Sequence, residues 1–135
     1  MLEDWLTPER VVADWRLRLA RAEADAAAHF SALSYVTGIA IVGSVGRGDP
    51  WPLSDVDMLV AADPCDGDDP EDAIRREEQD FNRRSHVARN PTELEAGNWV
   101  LTTVEVRAAI AEDDPAFLER LTTTTRVKLK NQSRC

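Results

Sequence analysis

One stretch constrains this chain more than any other: a glycine-rich turn set between two apolar runs. Ile39-Ala40-Ile41-Val42 leads into Gly43-Ser44-Val45-Gly46-Arg47-Gly48, and ten residues separate Ser44 from Asp55-Val56-Asp57-Met58-Leu59-Val60. Side chains alternate faces along a strand, so Asp55 and Asp57 share one side while Val56, Met58 and Val60 take the other. Two acids side by side on one pleated face repel each other unless a cation lies between them. Mg²⁺ meets that need with one or two protein carboxylates plus substrate phosphates, and the glycine turn offers backbone N–H groups to those phosphates. The pattern reads as a site for a metal–nucleotide complex.

Other glycine-loop readings fail on particular residues. Gly43 and Gly48 have the spacing of a P-loop, but Asp49-Pro50 stands where lysine and a hydroxyl are needed, and an aspartate there repels phosphate. A dinucleotide fingerprint requires a third glycine where Trp51 stands. A nucleophile elbow requires G-x-S-x-G, whereas Ser44 directly follows Gly43.

The chain has 135 residues, 43% hydrophobic and 30% charged, as expected of one globular domain. No apolar run approaches the roughly 20 residues of a membrane span, and the acidic start Met1-Leu2-Glu3-Asp4 is unlike a signal peptide, so a cytoplasmic location and no membrane partner are expected. A net charge of −9 argues against nucleic acid as partner. Residues 122–135 carry Arg126, Lys128, Lys130 and Arg134 with no acid, setting a basic tail or edge strand apart from a main domain over 1–121. The two cysteines, Cys65 and Cys135, suggest no disulfide framework, and with no CxxC and only two histidines zinc is not expected.

The periodicity predicts a helix of about 25 residues opening at Thr7-Pro8, with its stripe at Trp15, Leu19, Ala22, Ala26, Phe30 and Leu33. Strands follow at about Gly38–Val42 and Asp55–Ala61. The acidic stretch 63–72 lacks the ligand spacing of a calcium loop, because Cys65 and Gly67 occupy positions that need oxygen donors. A second helix runs from Asp69-Pro70 to about Arg84, and Asn90-Pro91 punctuates the chain. Trp99 to Arg107 has the β-branched and aromatic content of a third strand. A short helix from Asp114-Pro115 and an edge strand at Thr124–Lys130 complete the order. The expected class is α/β (α+β): a small mixed sheet flanked by helices.

Val42-Gly43-Ser44, ten residues, then Asp55-Val56-Asp57-Met58 resembles the signature of the nucleotidyltransferase superfamily with its DNA polymerase beta-like fold. The small bacterial branch, with the minimal and aminoglycoside nucleotidyltransferases, commonly reads G-S-x-A-R-G and S-D-[IV]-D-[LM]. This chain departs from that pattern by Gly46 in place of alanine. The resemblance covers about 38–60.

It implies a Mg²⁺-dependent enzyme that transfers a nucleoside monophosphate from a nucleoside triphosphate, ATP foremost, to an acceptor hydroxyl. Asp55 and Asp57 would hold two Mg²⁺ ions, while Gly43, Ser44, Arg47 and Ser54 would serve the nucleotide. The family's third carboxylate lies on a later strand between apolar residues, which points to Glu105 in Val104-Glu105-Val106, although aspartate is more usual there. Read without the resemblance, Glu105 is an exposed strand acid paired with Arg107, Arg47 a surface ion pair, and Ser54 a brace of the strand entry. The acceptor would be a small molecule or a protein, with a homodimer or a helical partner completing the wall. The alternative is an antitoxin-like or regulatory binding domain of the same fold, catalytically silent.

Overall fold

The computed structural model describes residues 8–51, 54–87, 92–122 and 126–129. The Thr7 cap, the Asn90-Pro91 break and Cys135 lie outside them. Helix α1 spans Pro8–Ser31 and delivers its stripe as the periodicity requires: Leu19, Ala22, Ala26 and Phe30 are buried, with Trp15 and Leu33 packed at the margins. Strand β1 (Val36–Val42) is buried at every position, which is why it reads as an unbroken apolar run rather than an alternation.

After β1 come the single-turn helix α2 (Gly43–Arg47) and strand β2 (Val56–Ala62). Helix α3 (Pro70–Val87) packs Ile74 and Phe81 into the same core as α1. Two short strands, β3 (Leu94–Glu95) and β4 (Val100–Leu101), precede helices α4 (Thr103–Ala111) and α5 (Pro115–Thr122) and strand β5 (Arg126–Leu129).

The strands form one mixed sheet in the order β3-β2-β1-β5, with β4 also on β2. β1 runs antiparallel to β2 and β5, while β3 and β4 run parallel to β2. This is the α+β class expected. Ile39 and Ile41 of β1 and Val56, Met58 and Val60 of β2 face α1 and α3. Ala40, Val42 and Leu59 face the other way, toward Phe117 of α5 and the half-buried Trp99, Val106 and Ala109. Burying side chains such as Phe30, Ile41 and Met58 stabilises the sandwich by about 1.5–3 kcal/mol each.

The strand expected over 99–107 is corrected: only Val100–Leu101 is extended, and Thr103 to Ala111 is helix α4. Thr102 and Glu105 form a capping box. Glu105 N donates to Thr102 Oγ1 at 3.2 Å, and Thr102 N donates to Glu105 Oε2 at 2.7 Å. Asp63 adds a second lock by accepting from Thr103 N and Thr103 Oγ1, both at 2.9 Å. Satisfying these otherwise orphaned donors outweighs the β-branched content of the segment. The disulfide expectation concerns Cys65 and Cys135, and Cys135 lies outside the described residues. Among the described residues no helix is long and apolar enough to cross a membrane.

Candidate active site

The register of β1 on β2 sets Val42 opposite Asp57, so the turn that begins at Gly43 comes to rest against that aspartate. Gly43 has φ +68°, a left-handed conformation open to glycine. A Cβ added to it would fall on the Asp57 carboxylate, with Asp57 Cβ and Cγ each 3.2 Å away. Glycine is needed twice over, for the backbone angle and for the space.

Past the turn, the loop is knotted by Ser54. Its buried hydroxyl accepts from Ser44 Oγ at 3.0 Å and from Trp51 N at 2.8 Å, while Ser54 N donates to Trp51 O at 2.9 Å. Ser54 therefore braces the strand entry and orients Ser44. Arg47 pairs with Asp49, Nε to Oδ1 at 3.5 Å, and its charge also reaches Asp57.

A cleft of about 490 Å³ opens here, and among the described residues Val42, Gly43, Arg47, Asp57, Glu95, Trp99, Ala116 and Glu119 line it. The third carboxylate beside the aspartates is Glu95, placed by parallel pairing of β3 on β2 with Asp57 and Glu95 as register partners. Glu105 stands elsewhere, exposed on the first turn of α4 with its carboxylate on the Thr102 amide. The signal that could have found Glu95 is the triplet Leu94-Glu95-Ala96, an acid between apolar residues. A two-residue strand leaves no periodicity to draw the eye to it.

The electrostatics of the three acids agree. Glu95 is raised above the ordinary carboxylate range chiefly by its hydrogen bond to Asp57, with burial and the charges of Asp57 and Glu93 adding to it. Asp57 is raised by burial and by Asp55, against the lowering effects of the Glu95 hydrogen bond and Arg47. Asp55 is raised by burial first, then by Glu95 and Glu93. Asp57 and Glu95 thus hold their protons to higher pH than isolated carboxylates do.

Hard oxygen donors crowded at a cleft suit a divalent cation. Among the described residues no three metal-ligating side chains form a ready-made cage.

A family model described as a nucleotidyltransferase domain matches residues 26–108, which span α1 to α4 and hold Gly43, Asp55, Asp57 and Glu95. No curated protein and no solved structure matches the chain.

Proposed function

The chain belongs to the nucleotidyltransferase domain family, and we propose that it transfers a nucleoside monophosphate from a nucleoside triphosphate to an acceptor hydroxyl. The observation that carries this reading is the meeting of Asp57 and Glu95 in the cleft directly against the Gly43 turn.

Asp57 and Glu95, with Asp55 just ahead of β2, are the groups that would hold Mg²⁺. The cation, when bound, neutralises charge on the triphosphate and on the departing pyrophosphate. Gly43 lets the backbone approach the phosphates, and the amides of the short turn after it donate to them. Arg47, on the cleft wall, offsets phosphate charge. The acceptor oxygen forms its bond to the α-phosphorus as the bond from that phosphorus to the β-phosphate bridging oxygen breaks. Pyrophosphate leaves with the bonding electrons, and the hydroxyl proton passes to solvent. In-line geometry of this kind makes positioning and charge stabilisation the main contributions of the protein.

Trp99, Ala116 and Glu119 also line the cleft, and that wall is where the acceptor, a small molecule or a protein, would lie. The test is pyrophosphate release from labelled ATP and the other nucleoside triphosphates with Mg²⁺, alone and with cell extract. Release that Asp55→Asn with Asp57→Asn abolishes, and that Glu95→Gln lowers by about a hundredfold or more, supports the proposal. Well-folded protein that neither binds Mg²⁺-nucleotide nor releases pyrophosphate with any acceptor would leave a silent domain of the same fold.

A further inference from the structure

We propose that Asn82 and Glu78, one turn apart on α3, are positioning residues for Glu95: they hold β3 in the single register that sets this carboxylate beside Asp57. The inference rests on the reading of Glu95 as a metal-holding group.

Strand β3 is two residues long, too short for its own ladder to exclude neighbouring registers. On one side it is tied to β2, where Val56 N donates to Glu93 O at 3.0 Å. On the other side Asn82 takes the place of a neighbouring strand. Leu94 N donates to Asn82 Oδ1 at 2.9 Å, and Asn82 Nδ2 donates to Leu94 O at 3.0 Å. Leu94 is buried, so these backbone groups have no water to turn to.

Glu78 grips the chain just past Glu95. Its Oε2 accepts from Ala96 N at 2.6 Å and also from Gly97 N. Helix and turn are in close contact there, since a Cβ on Gly97 would come within 3.0 Å of Glu78 Oε2 and 3.5 Å of Arg75 Cα. Glu95 is therefore held by its two sequence neighbours, Leu94 and Ala96, from a single helix face. A slip of one residue would exchange Glu95 for Leu94 in the cleft and turn the acid into the core, and a slip of two would present Glu93. Neither Asn82 nor Glu78 lines the cleft, so both act through Glu95.

The test is Mn²⁺ binding to the full chain, read by electron paramagnetic resonance without nucleotide or turnover, for Asn82→Asp and Glu78→Gln with and without Glu95→Gln. Asn82→Asp keeps the acceptor and removes the donor, setting a carboxylate oxygen against Leu94 O. Each single variant is expected to weaken Mn²⁺ by roughly tenfold or more, as loss of a group orienting a ligand does. In the Glu95→Gln background neither α3 change should weaken it further. Equal losses in both backgrounds would show general loosening and overturn the inference, as would unchanged affinity in the α3 variants while Glu95→Gln loses it. If Glu95→Gln itself leaves Mn²⁺ binding intact, the metal role of Glu95 fails and takes this inference with it. Thermal melts identify any variant that does not fold, and Glu78→Gln, which keeps an acceptor oxygen, decides the matter if Asn82→Asp is one.

Discussion

Gly43 lies so close against Asp57 that one added methyl group on the glycine would occupy the position of the aspartate carboxylate. Gly48 ends the same short helix with φ +80° but has open space where a side chain would go. The two glycines therefore separate backbone strain from site geometry. Each change to alanine should cost about 1–2 kcal/mol from the left-handed backbone, read by urea unfolding. Gly43→Ala should also abolish Mg²⁺-nucleotide binding, while Gly48→Ala should keep it. Equal binding by both variants would contradict the close approach of turn and carboxylate.

Clustering the acids costs the unliganded protein stability. Asp55, Asp57 and Glu95 all have folded pKa values above their unfolded ones, so the folded state binds protons more tightly. Stability then falls as pH rises from the ordinary carboxylate range through these raised values. Asp57→Asn should melt above the wild type at neutral pH without metal. The gap should close in acid, where the carboxylates are protonated in folded and unfolded chains alike. Mg²⁺ should raise the melting temperature of the wild type only. Scanning fluorimetry across pH, with and without Mg²⁺, measures all three.

With their pKa values raised, Asp57 and Glu95 must lose their protons before they can hold a cation. Mn²⁺ affinity should rise with pH just above the ordinary carboxylate range and then level off, with proton release on binding. Calorimetry in two buffers of different ionisation enthalpy reads that proton directly. Affinity independent of pH across this window would mean that the cation binds elsewhere.

Glu95 is the register partner of Asp57, whereas Glu105 closes the capping box of α4. Thr102→Ala should cost about 1 kcal/mol of stability through the lost cap, and Glu105→Ala a smaller amount. Both should leave Mn²⁺ and nucleotide binding at wild-type strength. Glu95→Gln should do the reverse, weakening Mn²⁺ while leaving the unliganded protein at least as stable. Paired denaturation and binding measurements on the three variants check the assignment.

The Gly43 turn and the two apolar strands around it were legible in the sequence, because each follows from a local rule, whereas Asp55, read as a strand residue, lies just before β2. A left-handed turn needs glycine, and a buried strand needs continuous apolar residues. The stripe of α1 was legible for the same reason. The segment Thr102-Thr103-Val104-Glu105 reads as strand from its β-branched residues, whereas in the fold it closes a capping box. Hydrogen bonds to the helix N-terminus, including those to Asp63 from forty residues earlier in the chain, settled that competition.

Sequence alone thus determined the half of the site that lies on contiguous chain, where conformational preference and side-chain alternation act over a few residues. Tertiary structure alone decided which acid stands beside Asp57. Glu95 owes its place to a two-residue parallel strand pinned by the side chains of α3, and long-range pairing of that kind leaves no period in the sequence to read.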